Sequence, residues 1–401
     1  MKEDKKHISI LLGAGFSANQ GYPIGNKLNE LLLNCKDADL SFYTDGSLIP
    51  AVNGQKPDLG WKNSYDLAFD FCRDMIAYFY QKKGYFDYEE LYDYLLDEAT
   101  RDKNVIIIAK KHKLTKESNI NNQLRDIIHV LNQLVSFYLK DKDGNQFYDN
   151  IGHYCKPIFP GYTGILNCIE KLGDEYTVHV FTLNHDLFFE RLSITDWIRG
   201  RLSDGFEELG SPYYGEVKTQ DAKYRVRLEH YTGNYDTQFR LYKLHGSLNY
   251  AVFHSPVGTS SSYVAAENYL KIKRSVNIHQ LYKEIKIGGK LSYHRDNINF
   301  NADFLTGTTS KIERYNEPLL YQKLFEHFRS NLQTSEKLII IGYGGKDTEI
   351  NKMISEHFDY KNKPSYIIDP KPGDKINELK SKLNSKLITK DLEKIELHDI
   401  S

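Results

Sequence analysis

The stretch ISILLGAGFSANQGYPIGNKLNELLL, residues 8 to 33, decides the fold. An apolar run, Ile8 to Leu12, ends in Gly13-Ala14-Gly15, and Leu28, Leu31 and Leu32 follow at helical spacing. That order reads as a buried strand, a tight turn and a helix. The turn Gly13-Ala14-Gly15-Phe16-Ser17-Ala18 fits the GxGxxG/A form. Its glycines let a backbone approach a pyrophosphate, and a helix N-terminus favours the negative charge. An ordinary strand-to-helix turn has the same outline. A dinucleotide-binding unit places an acidic ribose ligand about 20 residues further on. Only Asp37 and Asp39 stand near that offset, and no strand leads to them, so a plain dehydrogenase unit fits poorly.

Working outward, further apolar strands are expected at 176–183, 239–246, 337–343 and 365–369, separated by helices such as 162–172 and the one carrying Leu320, Leu324, Phe325, Phe328 and Leu332. Buried strands alternating with helices predict an α/β fold: a Rossmann-like parallel sheet with helices on both faces. We expect one domain over 1–401, its core drawn from 1–34, 156–194, 236–254 and 316–401. Residues 35–155 read as a mostly helical insertion. Helical periodicity marks 65–80 and 86–98, and most clearly Leu124, Ile127, Ile128, Leu131, Leu134, Val135 and Tyr138. That last helix stops at KDKDGNQ, an acidic run that lacks the glycine and glutamate of a calcium loop and reads as a turn. The polar, Gly- and Tyr-rich segments 195–235 and 255–315 read as irregular excursions. The tail from Lys371 is expected to close the domain with a helix (Ile376, Leu379, Leu383) and a short strand.

Composition narrows the function classes. The 401 residues are 40% hydrophobic and carry a net charge of −1, so a broad basic face for nucleic acid is not indicated, although a local basic groove is compatible with it. The four cysteines, Cys35, Cys72, Cys155 and Cys168, form no CxxC pair, which argues against a zinc ribbon and against a disulfide framework. No leader-like apolar stretch follows the charged N-terminus, and no run approaches the ~20 residues that span a bilayer. The expectation is a soluble cytoplasmic protein. Thirty tyrosines and a Lys/Asn-rich surface read as compositional bias.

Two more strand ends carry polar groups. In FTLNHDLFFE, 181–190, the alternation Thr182-x-Asn184-x-Asp186 puts three polar side chains on one side of an extended chain, where open parallel sheets bind ligands. The same residues also suit a strand exit that caps the next helix. In YKLHGSLNY, 242–250, His245 follows an apolar strand and precedes Gly246. GAG, TxNxD and HG at successive strand ends resemble the sirtuin family, over the strand-and-turn skeleton from residue 8 to about 370. The resemblance implies that Gly13, Ala14, Gly15 and Ser17 bind the NAD pyrophosphate and that Thr182, Asn184 and Asp186 surround the nicotinamide ribose. It implies that His245 is the catalytic histidine, that Gly342, Tyr343 and Gly344 line the ribose and adenine pocket, and that Asp369 is a further candidate there.

The departures are informative. No cysteine follows Cys168, so the four-cysteine zinc module of deacylating sirtuins is missing, and YPIGNKL stands where they carry Pro-Asp-Phe-Arg. The chain looks like the zinc-less bacterial branch that hydrolyses NAD in anti-phage defence, in which aromatic-acidic helices such as FDYEELYDYL occur. The resemblance then implies a metal-independent NAD glycohydrolase with Asn184, Asp186 and His245 as catalytic residues. It also implies homo-oligomerisation, a separately encoded partner such as a HerA-type ATPase, and only indirect contact with nucleic acid. A non-catalytic sensor of NAD or ADP-ribose derivatives and a nuclease subunit are the rival readings. No carboxylate cluster in the sequence suggests a metal site for the latter.

Overall fold

The opening apolar run becomes a strand, His7–Leu12, near the middle of a seven-stranded sheet. The structure is a computed structural model that describes residues 5–36, 40–43, 48–51, 62–112, 120–140, 142, 159–218, 222–257, 264–296, 298 and 301–401. Asp37, Asp39, Cys155 and most of KDKDGNQ lie outside the described residues. Across the sheet the order is Lys386–Ile388, Ser365–Ile368, Leu338–Ile341, His7–Leu12, Thr177–Thr182, Phe239–Lys243 and Leu202–Ser203. Every pairing is parallel.

The expected α/β architecture follows from alternation along these strands. Ile8, Ile10 and Leu12 face the helix Thr163–Glu175 with Val178, Val180, Ile339 and Ile341. Leu11, Phe181, Tyr242, Leu338 and Ile340 face the helices Tyr321–Thr334, Thr348–His357 and Asp374–Leu383. Both faces are covered, which is why the strands read as predominantly apolar runs, broken by buried polar groups such as Ser9 and His179. The described part of 35–155 is helical, with Ser64–Lys83, Tyr88–Asp97, Lys103–Lys111 and Ile120–Tyr138 around a core of their own and a small hairpin, Leu40–Phe42 with Leu48–Pro50.

Three expectations change. The segment after the turn is two helices, Ala14–Ala18 and Gly25–Leu33, because Gly21 turns at φ +86° and Pro23 comes next but one. The segments 195–235 and 255–315 are not irregular. They build two four-stranded antiparallel sheets. One runs Tyr250–Pro256, Val264–Lys271, Glu229–Tyr231, Phe206–Glu207, and the other Lys290–Asp296, Val276–Ile287, Tyr213–Lys218, Lys223–Arg227. Residues 250–254, assigned to the core by sequence, belong to the first of these, in its strand Tyr250–Pro256. Tyr213, Leu228, Phe253, Leu270 and Leu281 form the shared core. One face of each strand is polar, so the apolar signal is thin.

The sheet's order reverses beside His7–Leu12: the chain moves to one side for Thr177–Thr182 and returns on the other for Leu338–Ile341. At that switch point two glycine turns cross. Gly13 N donates to Ile341 O at 3.0 Å and Gly15 N to Gly342 O at 2.8 Å. A Cβ on Gly13 would lie 2.6 Å from Tyr343 Cα, and one on Gly15 2.8 Å from Gly342 Cα. A Cβ on Gly342, which sits at φ +62°, would overlap the Phe16 amide. Gly342→Ala should therefore destabilise the protein by more than the ~1–3 kcal/mol of left-handed strain alone. Gly344→Ala, two residues on, where an added Cβ meets nothing within 4 Å, should stay within about 0.5 kcal/mol of the parent. Urea denaturation of both variants checks the contrast.

Candidate active site

The residues singled out by sequence divide into three neighbouring groups at the C-terminal edge of the sheet. Ala14, Gly15, Gly342, Tyr343, Gly344 and Asp369 line an open cleft of about 420 Å³, joined by Asn19, Gly25, Asn26, Lys346 and Lys371. The helix Gly25–Leu33 starts at this cleft, and no side chain caps its first amides. Asp369 Oδ1 accepts from Lys371 N at 2.8 Å, which shapes the rim. Tyr343 reaches the cleft, but its hydroxyl lies 3.0 Å from Asp347 O and 2.9 Å from Asn351 Oδ1, between which its one proton is shared, so the ring serves the next helix.

Gly13, Ser17, Thr182, Asn184 and Asp186 form a buried knot beside that cleft. Asn184 Nδ2 donates to Gly13 O at 3.0 Å and to Ser17 Oγ at 3.1 Å. Ser17 Oγ in turn donates to Asp186 Oδ1 at 3.1 Å. Thr182 Oγ1 accepts from Asn184 N at 3.1 Å, and Asp186 Oδ1 accepts from Phe188 N at 2.9 Å. The strand-exit, capping reading of TxNxD therefore holds. The motif closes the strand and holds the first amide of the short helix Phe188–Arg191, and it also ties the second strand to the glycine turn. Lys243, almost fully buried, donates to the Asp186 carbonyl and pairs with Glu190 at 3.0 Å. Burial pushes the Asp186 and Glu190 carboxyls up, and Lys243 opposes the shift in both.

His245 stands apart from Asn184, with no hydrogen bond between them among the described residues. It is 6% exposed. Gly246 turns at φ +77° beside Tyr321, and His245 O accepts from Leu305 N at 2.8 Å, which fixes the histidine against the returning 303–306 segment. Its Nε2 lies 3.4 Å from the Tyr315 hydroxyl and 3.6 Å from Asp347 Oδ2. Asp347 caps the helix Thr348–His357 through Ile350 N, and its Oδ2 pairs with Lys311 Nζ at 3.0 Å. Lys311 also pairs with Glu89 at 3.2 Å. The His185 ring lies 6.3 Å away, centre to centre.

These surroundings set the charge of the imidazole. Burial first, then Lys311 and His185, hold the His245 pKa well below its ordinary value, so the ring is neutral at physiological pH. His185 is pushed down to about 3 by burial and by Lys243 and Lys311. Burial works against the charge of Lys311, yet Glu89 and Asp347 more than offset it, and its pKa rises. Among the described residues, no group of three or more His, Cys, Asp or Glu side chains is disposed to hold a metal.

Sequence reasoning missed Asp347, Lys311, Glu89 and Tyr315. For Asp347 a signal existed, because GGKDTEI reads as a strand end followed by a capped helix. Glu89 belongs to the aromatic-acidic helix and Lys311 to an excursion, and their meeting at Asp347 has no local signature.

Two measurements test this geometry. Asn184→Ala removes donors to two buried acceptors and should cost about 1–3 kcal/mol of stability in a thermal or urea melt. Lys311→Met removes a cation that depresses His245 and frees Asp347 to attract its proton. The His245 ring should therefore titrate at higher pH than in the parent, read from its imidazole proton resonances. The sign is fixed by the depression itself. Stability that His245 contributes as a neutral ring is complete above its unfolded value near 6.5 and is lost as pH falls toward the folded one.

Residues 178–389 match the family model described as SIR2-like domain. Among solved structures, the chain is similar to one reported under the mechanism and regulation of Sir2 enzymes, at 11% identity over 99% of this chain and 92% of that one, with a TM-score of 0.35. A Sir2 homolog–NAD complex aligns at 10% identity over 99% and 88%, with a TM-score of 0.34. A Sir2 homologue in complex with 2′-O-acetyl ADP ribose aligns at 11% identity over 99% and 91%, with a TM-score of 0.33. No curated protein matches the chain. The family match spans more than half of the residues and takes in the strand ends that carry Asn184, His245 and Gly342, and on that ground the chain belongs to the SIR2-like domain family.

Proposed function

We propose that the chain is an NAD glycohydrolase that cleaves the nicotinamide–ribose bond to give nicotinamide and ADP-ribose. The observation that carries the reading is His245: a buried imidazole, held neutral, with a carboxylate and a phenol at its Nε2, one strand away from the Asn184 knot. A neutral imidazole is the proton-accepting form a general base requires, and because the burial that keeps it neutral also weakens it as a base, the Asp347 carboxylate at Nε2 has to stabilise the imidazolium as the proton arrives.

The chemistry asks little of a proton donor. Nicotinamide leaves as a neutral ring from a cationic one, through an oxocarbenium-like transition state of the kind seen in glycosidic cleavage. In this reading the cleft beside Gly15 and Gly342 takes the adenosine and pyrophosphate, near the uncapped start of Gly25–Leu33 and close to Lys346 and Lys371. His245 accepts a proton from water or from a ribose hydroxyl. Asn184 exchanges its bonds to Gly13 and Ser17 for the ribose or the attacking water. Asp186 acts from behind, by holding Ser17. The proposal extends to NAD depletion in anti-phage defence, in an oligomer triggered by a separate partner such as a HerA-type ATPase. The sequence resemblance supports that extension.

Pure protein incubated with NAD should release nicotinamide and ADP-ribose. His245→Ala should bind NAD within a few-fold of the parent by calorimetry and lose about 10²–10⁴ in turnover, the usual cost of removing a general base. Undiminished release by this variant would remove His245 as the base. Tight binding with no release by the parent, alone or with its partner, would instead favour a sensor.

A further inference from the structure

The second antiparallel sheet packs one face into a small core, and its other face carries half-buried and exposed side chains. Tyr213, Leu281, Val226 and Val276 point inward to the small core. The strand register places Tyr214 opposite Arg227 and Tyr282, and Tyr282 opposite Arg295, so one row across all four strands reads Arg-Tyr-Tyr-Arg on the outer face. The same face holds Glu216 opposite Arg225, Lys218 opposite Lys223, Glu284 opposite Tyr293, and Lys286. Six cations therefore share the surface with two carboxylates, in a chain whose net charge is −1.

The carboxylates are already engaged. Glu216 pairs with Lys223 at 3.6 Å and accepts from the Tyr282 hydroxyl at 3.4 Å, and Glu284 accepts from the Tyr214 hydroxyl at 3.2 Å. Among the described residues, Lys218, Arg225, Arg227, Lys286 and Arg295 form no ion pair with a carboxylate. Arg225 lies over two rings, 4.2 Å from the centre of Tyr293 and 4.8 Å from that of Tyr282, and Arg227 lies 5.3 Å from that of Tyr214. The result is a positively charged sheet face on which flat guanidinium and phenol groups alternate.

We propose that this face binds single-stranded nucleic acid. Unmatched arginines and lysines meet the phosphates, and unpaired bases stack on the guanidinium planes that lie over the tyrosine rings and on the ring faces those planes leave uncovered. A purely acidic protein would satisfy the charge and leave the rings unused. A duplex would keep its bases from them.

The test uses the full chain and a fluorescein-labelled oligothymidine of about 20 nucleotides, longer than the ~4–16 nucleotides a single sheet-based module covers. Fluorescence anisotropy should show binding that weakens with salt. Arg225→Gln with Arg227→Gln should lower affinity at least about tenfold and reduce the salt slope by about 1.4, the share of two phosphate contacts on a single strand. Tyr282→Leu should lose roughly five- to a hundredfold, the range for one stacked base. Tyr282→Phe, which keeps the ring, should stay within about twofold and guards against misreading a folding defect as lost stacking. The proposal is overturned by absence of binding at low salt, or by undiminished binding in the arginine double variant. It is equally overturned if a duplex of the same length binds as well, or if polyglutamate displaces the probe as readily as unlabelled oligothymidine does.

Discussion

Everything at the site depends on two backbones touching where a side chain would keep them apart. The turn after the first strand and the turn after Leu338–Ile341 cross at Gly13, Gly15 and Gly342, joined by two amide-to-carbonyl bonds. This contact closes the topological switch point from within. On its outer side the cleft opens between the two turns. On its inner side Gly13 O is left facing the second strand, where Asn184 takes it. The glycines thus serve the protein's own packing before any ligand arrives. Gly15 meets Gly342 at a distance that leaves no room for a methyl group, which is a stronger demand than the approach of a pyrophosphate would impose.

Much of this was legible in the residues. The apolar runs 8–12, 176–183, 239–246, 337–343 and 365–369 mark five of the seven strands, because a strand buried on both faces needs no partner pattern to be read. The strand-end motifs GAG, TxNxD and HG are likewise local. Features that depend on distant chain segments stayed hidden. Lys311 reads as an ordinary lysine in a polar stretch, and only folding places it between Glu89 and Asp347. The two antiparallel sheets escaped for another reason. Their strands alternate Tyr, Lys, Glu and Arg with a few apolar residues, so half the hydrophobic signal is absent, and Gly- and Asn-rich turns complete the look of a loop.

The polar groups of the site share a common economy of charge. Asp186, Glu190 and Lys243 are buried together, and Lys311 is buried between the half-buried carboxylates of Glu89 and Asp347. A buried ion left without its partner would be far more costly than the pair, so Lys243 is held by two oxygens of the 186–190 segment and Lys311 by carboxylates from two distant segments. His245 and His185 stay uncharged in the same surroundings, first because burial disfavours the imidazolium and then because the nearby lysines already supply positive charge. A site that sets one imidazole neutral beside a fixed ammonium needs both to be enclosed.

The Asp93 carboxylate makes a different kind of link. Standing on Tyr88–Asp97, it accepts from the backbone and hydroxyl groups of Thr308 and Thr309 and from Ser310; burial acts to raise its pKa, and these contacts together outweigh it and lower the value to about 2. The next residue is Lys311, which returns to Glu89 on that same helix. The two insertions are therefore stitched to each other as well as to the sheet, and neither is a decoration that could be trimmed independently. Excising 35–155 to reach a minimal core would strip Lys311 of one counter-ion and Thr308 to Ser310 of their anchor in a single cut. Any shortened or grafted version of this scaffold has to carry both insertions or redesign the interior between them.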